Sequence, residues 1–242
     1  MPESFVAGKS TFRSRFVRTF ATIALAAGVF GASAPASADF LRQTDFANGS
    51  ATLTVTSPAL NGSTNVGGFK GFYSATSGAL LSSPLLSYCI ELAQNFAFNT
   101  TYTDYSTVPV ASAPNTIPGG MNTTKATNLA MLFGNGRFAD SFTSTTKSVA
   151  MQLAIWEIVY ETAGAAYNVT SGAFSTAASG ITTQANNYLA AMGLGQAAQI
   201  AALTSPGQQD FITVVPVPPS AALLGTGLLF GLWTMRRRRS QA

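Results

Sequence analysis

The sequence predicts an α+β domain: an antiparallel β-sandwich or barrel with an inserted block of about three helices. Three observations lead there. Short alternating or apolar runs, broken by Gly, Ser and Pro, fill the chain up to residue 120. Helical periodicity then takes over. A last apolar run, "DFITVV" (210–215), returns to an extended pattern.

The elements follow in order. "ATLTVTS" (51–57) alternates apolar and polar residues, as a half-buried strand does. "GGFKGFYSATSGALLSSPLLSYCIEL" (67–92) reads as two or three strands interrupted by turn residues. Residues 96–120 read as loop with short strand pieces, closing on the turn signal "TIPGG". In "NTTKATNLAMLFGNG" (122–136), Asn122 or Thr123 caps a helix with Leu129, Leu132 and Phe133 on one stripe, and Gly134 and Gly136 end it. "TKSVAMQLAIWEIVYETAG" (146–164) is the strongest helix. It is apolar almost all round, which predicts burial, with Glu157 and Glu161 marking a solvated edge. "TTQANNYLAAMGLG" (182–195) gives the third.

Two end segments address the chain rather than fold it, leaving one secreted domain over 39–213. Residues 1–38 have a basic start, the apolar stretch "FATIALAAGVFGASA" and a small-x-small cleavage site at Ala36 and Ala38, the layout of a secretory signal. Residues 214–242 hold Val215, Pro216, Val217, Pro218 and Pro219, then the apolar helix candidate 221–235, then Arg236, Arg237, Arg238 and Arg239. The prolines keep a helix from starting earlier, and the arginines would stop transfer on the cytoplasmic side of the inner membrane.

Composition excludes several classes. With 9% charged and 47% apolar residues and a mean hydropathy of +0.25, the chain is too apolar to be disordered. Its net charge of +4 comes from the two ends. Between them, five basic residues face eight acidic ones, a balance of −3, so there is no basic patch for nucleic acid. The chain has no histidine. A cysteine hydrolase would lack its usual base, and the commonest zinc ligand is missing. No enzyme, metal or cofactor is expected.

Cys89 is the single cysteine, in a chain that reads as exported, where cysteines ordinarily pair as disulfides. It lies in the apolar run "LSSPLLSYCIEL" (81–92). Gln152 raises a second question. It shares a helical stripe with Val149, Trp156, Val159 and Tyr160, where a carboxamide without partners costs about 1–3 kcal/mol. Main-chain groups of a neighbouring strand would satisfy it.

Two resemblances bear on these features. The tail, with its Pro motif, apolar helix and Arg cluster, resembles the PEP-CTERM sorting signal of Gram-negative bacteria, in the variant lacking Glu: Val-Pro-Val-Pro-Pro stands where Val-Pro-Glu-Pro is commonest. That implies an exosortase-type processing enzyme as a partner, transient anchoring by the C-terminal helix, and a place in the cell envelope, at the cell surface or in the extracellular matrix. "YCIE" (88–91), followed by "QLAIWE" (152–157), resembles the thioester-domain family of bacterial surface proteins. Met151 stands where that family usually has Thr. The resemblance implies an internal thioester between Cys89 and Gln152, surrounded by Tyr88, Glu91 and Trp156, with Leu85, Leu86 and Ile90 helping to keep it dry. It further implies an adhesin that attaches to an amine-bearing surface ligand, with Glu91 or Glu157 available for proton transfer. A second reading stays open: a structural or polysaccharide-binding matrix protein with a plain buried cysteine, its sugar face built from Phe72, Tyr73, Phe96, Phe98, Tyr102 and Tyr105.

Overall fold

A computed structural model describes residues 39–75, 83–113, 120–162, 165–177 and 179–215. The expected signal segment 1–38, and the tail from Pro216 to the arginines, lie outside the described residues. The predicted α+β class holds, and of the two β architectures expected, the barrel is the one found. Strands β1 (Asp39–Phe46), β4 (Phe69–Ser74), β5 (Ser83–Cys89), β9 (Phe211–Val214), β8 (Ile200–Thr204) and β6 (Tyr102–Val108) form a closed antiparallel barrel in that order. Closure pairs β6 with β1 and leaves neither edge free. β2 (Ala51–Thr56), β3 (Asn61–Val66) and the two-residue β7 (Ser175–Thr176) make a separate small sheet.

Among the described residues between β6 and β8 lie four α-helices, one more than expected: α1 (Thr123–Phe133), the short α2 (Arg137–Ser141), α3 (Thr145–Tyr160) and α4 (Gly180–Ala190). Side-chain caps start three of them. Asn122 accepts from Lys125 N–H, Ser144 from Lys147 N–H, and Ser179 from Thr182 N–H. The extra helix exists because the "GNG" expected only to end α1 does both jobs. Gly134 closes α1, while Asn135 and Gly136 take left-handed angles that turn the chain straight into α2.

α3 is the centre of the fold. It packs on α4 and α1 and touches β5 and β3. Every residue from Ser148 to Tyr160 is buried. The solvated edge expected at Glu157 and Glu161 is absent, because both carboxylates hold main chain. Glu157 accepts from Asn168 N–H (2.7 Å), and Glu161 from Thr162 N–H (2.7 Å) and Ala173 N–H (2.9 Å). They fasten the chain that follows the helix instead of facing water. At the C-terminal end of α3, buried Lys125 donates to Val159 O (2.6 Å), a carbonyl left over by the helix ladder. Among the described residues no helix is long and apolar enough to cross a membrane.

Candidate functional site

Cys89 closes β5, where two neighbours differ in length. β9 is still beside it, with Cys89 opposite Phe211 and Tyr88 opposite Ile212. On the other edge, β4 stops pairing at Phe69–Ser87. Continued by two rungs, that ladder would set Gly67 against Cys89. Gln152 of α3 takes the vacant place. Its Oε1 accepts from Cys89 N–H (2.9 Å), and its Nε2–H donates to Cys89 O (2.7 Å). One side-chain amide thus does what the next strand's peptide would have done. Nearby, Ser148, one turn earlier on α3, accepts from Gly68 N–H (2.8 Å).

Gly68 is required where β4 is left. A Cβ there would lie 2.5 Å from the Phe142 ring and 2.7 Å from the Tyr88 ring. Tyr88 turns into the helical layer, against Phe133, Phe138 and Phe142, and its hydroxyl pairs with Ser141 Oγ at 2.7 Å. It supports the site's floor and does not line the cleft that reaches Cys89. Leu86 is 39% exposed, so the expected dry wall is not built from it. Phe69, Phe96 and Phe211 build it instead, with ring centroids 5.2–5.5 Å apart.

The sulfur is enclosed but not sealed. Cys89 and Gln152 are each 1% exposed. Yet Cys89 and Trp156 are among the residues lining a cleft of about 200 Å³, shared between the rings of Phe46, Phe69, Phe96 and Phe98 and the polar Asn65, Asn95 and Gln209. The thiol donates to Glu91 O, and Glu91 N–H donates back to Sγ at 3.2 Å. Burial pushes the thiol far above its ordinary value. The Glu91 main-chain contact and the Trp156 indole pull it down, and the charges of Glu91 and Asp210 add to the rise. The indole N–H lies beside the sulfur without reaching hydrogen-bond geometry, so Nε1 has no formed partner. Burial thus disfavours the thiolate, the reactive form of a cysteine.

The structure thus brings together Cys89, Gln152, Glu91 and Trp156 among the residues singled out from sequence. Glu91 is 2% exposed, not a surface charge. Glu157 is turned to Asn168 and has no part at the sulfur. In its stead stands Asp210, also 2% exposed, whose main-chain oxygen accepts from Ile90 N–H at 3.0 Å. Sequence reasoning missed it; the one available signal was an acid opening an apolar strand run. The six aromatic residues considered for a sugar face do not share one. Phe72 and Tyr73 are consecutive in β4, Tyr105 is fully buried, and Phe96 and Phe98 pack on Phe69. Of the sorting motif only Val215 lies within the described residues, one residue past β9, its N–H on Gln199 O (2.9 Å). Among the described residues no cluster of His, Cys, Asp and Glu could hold a metal ion.

Comparisons of the chain with protein-family models, with curated proteins and with solved structures find no match.

Proposed function

We propose that this chain is an exported cell-surface or matrix protein that attaches covalently to amine-bearing partners through a thioester between Cys89 Sγ and Gln152 Cδ. The observation that carries the reading is the seating of the Gln152 carboxamide on the Cys89 main chain, at 2.9 and 2.7 Å, beside a cleft that Cys89 lines. In forming the bond, sulfur attacks Cδ, the C–N bond breaks, and the amide nitrogen leaves as ammonia with the thiol proton. Holding the two groups together supplies much of the rate, and their burial, 1% exposed each, slows hydrolysis. An amine entering between Phe46, Phe69, Phe96 and Phe98 then forms an amide with residue 152, and the sulfur returns to thiol. The end segments add export, handling of the tail by an exosortase-type enzyme, and a place at the envelope or in the extracellular matrix.

One observation favours the second reading, a non-covalent matrix or polysaccharide-binding protein. The carboxamide has both hydrogen bonds it needs, and the thiol already has main-chain partners in Glu91. Intact mass of the purified chain separates the two. The thioester makes the chain one ammonia lighter than its sequence, and Cys89→Ala and Gln152→Ala each restore the full mass. A wild-type chain of full mass, its thiol merely unreactive until unfolded, leaves the matrix reading.

A further inference from the structure

β3 ends its sheet. It pairs with β2 along its whole length, from Asn61 opposite Thr56 to Val66 opposite Ala51, without a bulge. Among the described residues no strand pairs with its other edge. Antiparallel neighbours alternate between hydrogen-bonded and non-bonded pairs. The hairpin sets the phase, since Ser57 N–H donates to Leu60 O (2.8 Å). Thr54 agrees with it: its carbonyl turns away from β3 and accepts from the Thr176 hydroxyl of β7 (2.8 Å). Gly62, Thr64 and Val66 therefore direct their main-chain groups to β2, and Asn61, Ser63 and Asn65 direct theirs to the open side. Nothing in the sequence blunts that edge. Its residues, Asn-Gly-Ser-Thr-Asn-Val, include no charge and no proline.

The edge leads to Cys89. Thr64 and Asn65 both line the cleft of about 200 Å³ that Cys89 and Trp156 also line. Consecutive strand residues point to opposite faces, so a cavity touching both meets the strand along its edge. Ser63 and Asn65 are exposed, while Thr64 is half-buried on the face of the buried Val66. A strand laid here would bond to the main chain of Ser63 and Asn65, and its side chain opposite Thr64 would share the inward face. The cleft has room for one long side chain, with the rings of Phe46, Phe69, Phe96 and Phe98 for its methylenes. A second copy of β3 has no such side chain to offer. The occupant that fits is an extended segment of a different protein.

Resting on the thioester reading for the bond that follows, we propose that β3 is a docking edge for an extended polypeptide of the partner, which adds as a further strand and presents a lysine opposite Thr64. The lysine nitrogen bonds to Cδ of residue 152, the C–S bond breaks, and an amine proton passes to the sulfur. Main-chain pairing then selects the partner by conformation. A lysine in an extended segment is captured, and one on a helix is passed over.

The test uses the full chain and an acetylated peptide amide, Thr-Val-Thr-Lys-Thr-Val-Thr. In Cys89→Ala, which has no sulfur to react, docking slows hydrogen exchange at Ser63 and Asn65 and leaves Gly62 and Thr64, already bonded to β2, as they were. In the wild type, intact mass follows addition of the peptide against n-butylamine at equal concentration. The peptide adds about tenfold faster, because docking holds its amine at the site. N-methylating the two threonines beside its lysine removes the advantage. Ser63→Pro deletes an outward N–H and no bond to β2, so it brings the ratio of the two rates to about one. Unchanged exchange at Ser63 and Asn65, or a peptide no faster than n-butylamine, overturns the docking edge while the thioester stands. Protection of both amides without peptide, in a chain that self-associates, assigns the edge to a second copy and overturns the proposal too. Peptide-dependent protection in a wild type of full mass keeps the edge and overturns the bond.

Discussion

The clasp between Gln152 and the main chain of residue 89 can be weighed apart from any sulfur chemistry. Both hydrogen bonds go to the backbone, so Cys89→Ala removes the thiol and keeps them. In that background Gln152→Leu preserves side-chain volume and leaves one buried N–H and one buried C=O without partners. Each orphaned group costs about 1–3 kcal/mol, and the leucine gains a little from burial, so the net loss is about 2–5 kcal/mol. That is a large part of the stability of an ordinary domain, about 5–15 kcal/mol. Urea unfolding followed by Trp156 fluorescence measures it, with hydrogen exchange at residue 89 as the local readout. A double variant within about 0.5 kcal/mol of Cys89→Ala, with residue 89 still protected, would refute the view that Gln152 stands in for a strand.

Three further outcomes are expected. Gly68→Ala drives a methyl into the rings of Phe142 and Tyr88, contacts of 2.5 and 2.7 Å that neither flat ring can yield easily; calorimetry should show a clear fall in melting temperature. Ser148→Ala strips the Gly68 N–H of its buried acceptor and costs about 1–3 kcal/mol in chemical denaturation, with faster exchange at Gly68. Glu157 is pushed up to about 7 by burial first, while Asn168 N–H lowers it and Glu161 raises it. Its folded value exceeds its unfolded one, so the folded state binds more protons between about pH 4.5 and 7 and stability declines across that window. Glu157→Gln should flatten the decline, making the variant the more stable chain at pH 8 by roughly 1–3 kcal/mol and bringing the two together below about pH 5. Parallel slopes for the two chains would show that Glu157 does not carry the effect.

The part of the fold legible in the sequence is the part governed by local chemistry. Asn122 at the start of α1, the stripe of Leu129, Leu132 and Phe133, and the all-round apolar run of α3 each announce themselves within a turn or two. β3 does not: "NGSTNV" has almost no apolar face, and it is a strand because β2 pairs with it throughout. β8 hid in an alanine-rich run that reads as neither period. The site divides the same way. Gln152 stood out as a polar residue on a buried stripe, but periodicity cannot say whose backbone it meets. Glu157 read as solvated because helical spacing does not foresee a loop returning to cover the helix. Asp210 stayed hidden because its importance comes from β9 lying beside the end of β5, a contact between residues more than a hundred positions apart.

The truncated ladder at Cys89 has a consequence for timing. While the chain is unfolded, Cys89 and Gln152 stand 63 positions apart, and a thiol and a carboxamide at that separation ignore one another. Only when α3 has docked against the end of β5 do they meet, so any chemistry between them belongs to the finished domain and not to the unfolded chain. A bond formed there would close a long loop, worth about 4 kcal/mol by the chain-entropy estimate for a cross-link of that span. An incoming nucleophile would cut that loop as it attached. Capture would then trade an internal brace for an external tether, leaving the bound protein looser than the waiting one.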